Sequence, residues 1–197
     1  MAYMEKSLQE HIDIQGILKP ESDLERRIIQ VDDFVQGLLW GKPRFGHPEG
    51  KVIFHIREVM DNVDKLTIST EVRSHLRLIS LVHDSFKHRE DKTTQPRDWS
   101  KHHGVLARKF MESYTEDPHL LDIIELHDEA YYCWRMLHIY RDREMANQRL
   151  NHLLERIGPA RQLYYLFFKC DTRTGDKNQA PLRWFEKNIP EIKIAEF

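Results

Sequence analysis

The sequence predicts an all-α, single-domain helical bundle. Apolar residues recur at helical spacing through most of the 197 residues, and side chains three or four positions apart share one face of a helix. No segment alternates apolar and polar residues over the length of a strand, and there is no hairpin signal. The length suits one domain, which we divide into an N-terminal arm, residues 1–21, and a helical body, residues 22–197.

The predicted helices follow one another from a capping box at Ser22. Ser22 and Glu25 have the spacing that satisfies two free amides at a helix start, and the helix they begin runs to about Gly41. The arm before it is polar, so we expect a short, loosely held helix or a mobile segment there. Further helices are expected at about 51–64, 70–86, 101–114, 118–134, 137–157, 160–171 and 181–187. The polar segment 89–100 is expected to be a loop.

Composition excludes several classes of function. The net charge is −2, so the chain lacks the basic excess that a nucleic-acid backbone normally requires of its partner. No apolar run is long enough to cross a bilayer, and residues 1–10 lack a signal-peptide core. Cys133 and Cys170 lie in apolar contexts and indicate no disulfide framework. We therefore expect a cytoplasmic protein with no membrane partner and no large nucleic-acid surface.

A histidine and an aspartate end an apolar segment of the chain. Leu78–Val82 is followed directly by His83 and Asp84. An unpaired carboxylate is costly in an interior, and a bound cation would remove that cost, because neutral imidazole and carboxylate are ligands that zinc and transition metals prefer. The pair is equally compatible with a capping or salt-bridged aspartate beside a hydrogen-bonded core histidine.

Four other predicted helices carry side chains of the same kind. His55 lies among apolar residues, His103 begins a helix, His127 lies on a buried face, and Asp171 ends an aromatic-rich run. Each of these residues has an ordinary structural interpretation, such as a satisfied core histidine. The coincidence of five helices that each deliver one or two donors favours a shared metal site.

The ordered set resembles the HD-domain superfamily of metal-dependent phosphohydrolases. The segment His47–His55, HPEGKVIFH, is similar to the opening of the HD module of bacterial tRNA nucleotidyltransferases. VHDSFK at 82–87, HGVLA at 103–107 and CDTR at 170–173 resemble the later motifs. The resemblance spans about residues 47–173, and we take this range as the motif core of a bundle of the HD-domain type.

The resemblance implies two sets of metal ligands. The first set is His55, His83, Asp84 and Asp171. The second set is His103 and His127 together with Asp84, which would bridge the two ions. His102 replaces His103 if the helix phase is wrong by one residue. One ion or two remain open, as does the divalent metal, which could be Mn, Mg, Fe, Ni, Co or Zn.

The activity implied is a metal-dependent phosphohydrolase, either phosphatase or phosphodiesterase, acting on a nucleotide or another small phosphate ester. Asp84 and Lys87 are the catalytic candidates, Lys87 because its ammonium could meet a phosphate oxygen. One alternative is a di-iron oxygenase that uses the same ligands. Another is a catalytically silent module that senses a nucleotide.

Candidates for substrate binding lie one and two turns past His127. Tyr131, Trp134 and Arg135 could stack on a base and hold a phosphate, together with Lys87. Their ordinary interpretation is core aromatics and a surface cation. Glu49 and Glu58 could orient ligand imidazoles.

Overall fold

All regular structure in the described residues is helical, which confirms the predicted all-α fold in a single domain. The computed structural model describes residues 12–189 and 191–196. Its α-helices are α1 (Ile14–Leu18), α2 (Asp23–Ile28), α3 (Asp32–Leu38), α4 (Val52–Val63), α5 (Thr70–Val82), α6 (His103–Met111), α7 (Pro118–Leu126), α8 (Glu129–His138), α9 (Arg143–Ile157), α10 (Arg161–Thr172) and α11 (Ala180–Asn188). In this part of the chain, none of the helices combines the length and the apolar character needed to cross a bilayer.

Helices α4, α5 and α10 form the centre of the bundle and contact one another. Their apolar faces supply core residues such as Ile56, Ile79 and Phe167, each fully buried. Helices α6 and α7 pair beside α5, and α8 and α9 form a second pair. Burial of these faces is the main stabilising term. This packing also brings together the helices that carry His55, His103 and Asp171 and the helix ends that carry His83 and His127.

Several predicted helix starts are confirmed by side-chain caps. The Ser22 hydroxyl accepts a hydrogen bond from the Glu25 amide at 3.1 Å, and Ser69 caps α5 in the same way. The Asp117 carboxylate accepts from the His119 amide at 2.9 Å. Such caps satisfy amides that have no partner within the helix.

The predicted helix over 118–134 is in fact two helices, because a tyrosine interrupts the backbone ladder. The Tyr164 hydroxyl donates to the carbonyl of Leu126 at 3.1 Å and accepts from the amide of Ala130 at 3.1 Å. In an uninterrupted helix that amide would bond directly to that carbonyl. The chain therefore turns at His127 and Asp128, and both side chains point to the interior site described below.

Other boundaries also differ from the prediction. The single helix expected from Ser22 to Gly41 is divided at residues 29–31 into α2 and α3. Helix α5 stops at Val82, so His83 and Asp84 lie in the turn that follows it. The helix expected from residue 137 begins at Arg143, and α8 instead extends to His138.

The described part of the N-terminal arm is held against the body. Leu18 is fully buried, and its carbonyl accepts hydrogen bonds from the guanidinium groups of Arg57 and Arg77. The expected short helix is present as α1, but residues 12–21 are not loosely held. The first half of the predicted arm lies outside the described residues.

Candidate metal centre

Four donor atoms from α4, α5 and α10 converge in the middle of the bundle. His55 Nε2 lies 2.9 Å from Asp171 Oδ1, 3.3 Å from His83 Nε2 and 3.5 Å from Asp84 Oδ2. His83 Nε2 lies 3.5 Å from Asp84 Oδ2 and 3.7 Å from Asp171 Oδ1. Ligand atoms that share one ion at about 2.0–2.2 Å are roughly 3–3.5 Å apart. The spacing of this first donor group therefore fits a single cation.

A second donor group lies on the other side of Asp84. His103 Nε2 is 3.1 Å from His127 Nε2, and the two nitrogens lie 3.3 and 3.4 Å from Asp84 Oδ1. Asp128, which sequence reasoning missed, places Oδ2 at 3.4 Å from His103 Nε2 and 3.7 Å from His127 Nε2. Asp84 is thus the residue that contributes one oxygen to each group.

His103, and not His102, faces this second group. His102 is the N-cap of α6, where its Nδ1 accepts the Gly104 amide hydrogen at 3.1 Å. Its Nε2 lies 3.3 Å from the Tyr132 hydroxyl. The capping role turns the His102 ring away from Asp84, and the next residue in the helix turns toward it.

The Nδ1 atom of each imidazole in the two donor groups has a hydrogen-bond acceptor. His83 Nδ1 and His127 Nδ1 each lie 2.9 Å from the backbone carbonyl three residues earlier, Ser80 and Ile124 respectively. His103 Nδ1 lies 3.0 Å from Glu90 Oε2. These oxygens can only accept, so each Nδ1 carries the hydrogen. The Nε2 atoms then face the interior, which is the arrangement that metal-binding histidines adopt.

His55 is oriented by a residue that the sequence did not suggest. Its Nδ1 lies 3.4 Å from the Thr174 hydroxyl, which donates its own hydrogen to the Asp171 carbonyl at 2.7 Å. Glu49 Oε1 is 3.6 Å from the same His55 nitrogen and 2.9 Å from His47 Nδ1. Glu58 instead accepts from the Gly175 amide and so supports the backbone beside Thr174.

The electrostatics of the centre attract positive charge. Burial would raise the pKa of Asp84, but Lys87 and His83 outweigh it and hold that pKa well below its usual value. Burial would also raise the pKa of Asp171, but Lys177 and His55 outweigh it and hold that pKa well below its usual value. Burial also lowers the pKa of His83, yet Asp84 and Asp171 raise it to about 9. Burial and the nearby Lys177 lower the pKa of His55 to about 3.

Two features indicate that the donor groups suit a cation. Asp84 Oδ1 is buried and has no hydrogen-bond donor within the described residues, and an unsatisfied carboxylate oxygen is costly. Two pairs of Nε2 atoms also lie 3.3 and 3.1 Å apart, which is the separation of two ligand atoms on one ion. A divalent cation would satisfy the carboxylate and take the place of the protons that these imidazoles hold. The residues could therefore hold one or two such ions.

A cavity of about 320 Å³ opens onto both donor groups. Lys87 and Lys177 lie in its wall. Lys87 contacts Asp84 Oδ2, and the Lys177 ammonium is 2.8 Å from Asp171 Oδ1. At the rim are two exposed rings, Phe45 and Tyr131, which are 87% and 39% exposed. The cavity thus combines carboxylates, two ammonium groups and two aromatic surfaces.

The other two predicted substrate contacts lie outside this cavity. Trp134 stacks on Tyr131 with ring centroids 6.3 Å apart, but it lines a separate groove. Arg135 donates to the Tyr140 hydroxyl at 2.6 Å and its guanidinium lies over the Tyr131 ring. Tyr131 and Trp134 do lie on the same face of α8, but only the Tyr131 ring lines the cavity.

Comparisons with protein-family models, curated proteins and solved structures found no match for this chain. The resemblance to the HD-domain superfamily therefore stays a prediction from the ordered motifs. The chemistry of the centre has to be argued from its own residues.

Gly104 controls the separation of α6 and α7 and so the second donor group. A Cβ at this position would lie 2.4 Å from the Glu125 carbonyl oxygen, so Gly104→Ala must displace one helix by about 1 Å. We expect binding of a second Mn²⁺ to weaken about tenfold or more, as when the support of a ligand is lost. Calorimetric titration of metal-free protein measures this, with binding at the first group as internal control. Equal weakening of Mn²⁺ binding at both donor groups would contradict the specific link between Gly104 and the second group.

Proposed function

We propose that the protein is a metal-dependent phosphohydrolase acting on a nucleotide or another small phosphate ester. The observation that carries the proposal is the convergence of four imidazole Nε2 atoms and the Asp84, Asp128 and Asp171 carboxylates beside a cavity with two lysines. When bound, a divalent cation supplies a lowered pKa for its water, from 15.7 to about 7, and neutralises phosphate charge. The cytoplasmic location and the HD-type family membership belong to the same proposal.

In this proposal the residues of the chain bind and orient the substrate. The ammonium groups of Lys87 and Lys177 would donate to phosphate oxygens, since both line the cavity and both already pair with carboxylates of the centre. Phosphoryl transfer depends mainly on such positioning and charge stabilisation. Tyr131 and Phe45 at the rim would contact the organic part of the ester. Their flat rings favour a nucleobase there.

The residues around the donor groups would fix the ligands in advance. The Ser80 and Ile124 carbonyls, Glu90 and Thr174 each orient one imidazole. Glu90 is itself held by Arg97 and Lys92. Burial would raise the pKa of Glu90, but the hydrogen bond from His103 outweighs burial, and the pKa is lowered to about 2. This carboxylate therefore remains an acceptor for His103 at neutral pH.

Lys87→Gln tests the role of the cavity in phosphate binding. We expect kcat/KM for hydrolysis of Mn²⁺-loaded protein to fall about 100-fold, as when one donor to the transition state is removed. Metal content should stay unchanged, because Lys87 is not a donor to the cation. The measurements are phosphate release from nucleoside monophosphates and chromophore release from a chromogenic phosphodiester, with metal analysis of each sample. Lys109→Gln is the matched control, since Lys109 is exposed and does not line the cavity.

Two outcomes would overturn the proposed function. One is a wild-type protein that carries metal and hydrolyses neither phosphate monoesters nor phosphate diesters. The other is iron-dependent oxygen consumption by protein purified anaerobically, which would assign the centre to oxygen activation.

A further inference from the structure

A second, open groove lies between α8 and α11 and is lined by aromatic and cationic side chains. Its volume is about 530 Å³, and its lining includes Trp134, His138, Arg183, Trp184 and Lys187. The Trp134 and His138 rings lie 5.4 Å apart. Among the described residues, no acidic side chain lines this groove.

The groove adjoins the metal cavity. Tyr131, at the cavity rim, stacks on Trp134 with a ring angle of 16°. On the opposite wall, Pro181 lines the cavity while its neighbour Ala180 lines the groove. Tyr131, Trp134 and His138 are spaced three and four residues apart, so they follow one face of α8. The result is a row of rings that leads away from the donor groups.

The two cationic side chains of the groove have no polar partner among the described residues. Neither Arg183 nor Lys187 has a side-chain hydrogen bond or an ion pair with any residue in the ranges 12–189 and 191–196. Both are exposed. This contrasts with Arg108, Arg149 and Arg156, which are paired with carboxylates. Cations beside aromatic rings suit a ligand that has both anionic groups and flat rings. The acidic residue between the two cations in the sequence, Glu186, is paired with Lys169 and does not line the groove.

We propose that this groove binds the second and third nucleotides of a short single-stranded oligonucleotide whose terminal phosphate lies in the metal cavity. The inference rests on the proposed function for the placement of that phosphate. Bases stack on Trp134 and Trp184, and the phosphodiester groups meet Arg183 and Lys187. Tyr131 and Trp134 are three residues apart, a rise of about 4.5 Å along the helix, which is of the order of the spacing of neighbouring bases. The net charge of −2 limits the ligand to a few nucleotides, because longer chains require a larger basic surface.

The test compares a mononucleotide with a trinucleotide. The protein is first freed of metal, so that it cannot hydrolyse the ligands by a metal-dependent reaction. It is then titrated calorimetrically with adenosine 5′-monophosphate and with a linear 5′-phosphorylated adenine trinucleotide. We expect the trinucleotide to bind at least about tenfold more tightly, since each stacked base contributes an amount of this order. Arg183→Ala/Lys187→Ala should remove most of that advantage and leave mononucleotide binding unchanged. Lys109→Ala/Lys193→Ala is the matched control, because both lysines are exposed and lie outside the groove.

Equal affinity for the two ligands would overturn the inference, as would full trinucleotide affinity in the Arg183→Ala/Lys187→Ala variant. Light scattering that shows a dimer dissociated by the same substitutions would also overturn it, since the groove would then be a self-association surface. Failure of the proposed function has a different result: metal-loaded protein releases no phosphate, while metal-free protein still prefers the trinucleotide.

Discussion

Asp84→Asn should remove metal from both donor groups at once. Asp84 Oδ2 belongs to the first group and Oδ1 to the second, so no other single residue has this effect. We expect bound Mn²⁺ to fall below about a tenth of the wild-type amount and hydrolysis to fall more than about 100-fold. Metal analysis after gel filtration, with phosphate release measured on the same samples, provides both values.

The same substitution should also destabilise the metal-free protein. The Lys87 ammonium is mostly buried and pairs with Asp84, so an amide at position 84 removes the carboxylate that this buried cation contacts directly. Breaking such a pair costs about 3–5 kcal/mol. Urea unfolding in the presence of a chelator measures the loss.

Asp128→Asn is the informative control for the bridging role. Its carboxylate contacts only the second group, so this variant should keep the first ion and lose affinity only for the second. An Asp84→Asn protein that retained the full wild-type metal content would show that Asp84 does not bridge, and the two-group description of the centre would fail.

Glu25→Ala should be the most destabilising single change remote from the centre. The Arg77 side chain is 1% exposed, and its Nη2 and Nε donate to the two Glu25 oxygens at 2.8 and 3.3 Å. Alanine would remove the buried carboxylate that pairs with this guanidinium and leave it only the half-exposed Glu21 carboxylate, 3.2 Å from Nη1. It would also remove half of the capping box at Ser22. We expect the free energy of unfolding to fall by about 3–5 kcal/mol, measured by urea unfolding.

Two comparisons sharpen this prediction. Asp23→Ala lies on the same helix, but its carboxylate is 99% exposed, so the urea midpoint should hardly move. Glu25→Ala combined with Arg77→Met should recover much of the lost stability, because the uncompensated charge is gone. Metal content should stay at the wild-type value throughout. A Glu25→Ala protein as stable as wild type would mean that solvent reaches Arg77 in the folded state.

The His83–Asp84 pair illustrates how far sequence reasoning extends. An apolar helix that ends in an imidazole and a carboxylate is a local pattern, and it was enough to identify a candidate cation site. Asp128 illustrates where it stops. Its position next to His127 was a usable signal, but a continuous helix over 118–134 would have turned the two side chains about 100° apart. The interruption depends on the Tyr164 hydroxyl, which comes from α10.

Sequence by itself determined the all-α class, the main helix starts and the residue types of a metal centre, because periodicity, caps and the cost of buried charge act over a few positions. Tertiary structure alone decided that His103 rather than His102 joins the centre, that Asp128 and Lys177 lie beside it, and that Trp134 belongs to the adjacent groove. The turn that brings Asp128 into the centre depends on a contact between residues far apart in the chain, Tyr164 with Ala130. The Lys177 contact with Asp171 depends on the turn that follows α10. No local pattern encodes the rotation of one helix against another, since that rotation is set by how their side chains interlock when packed.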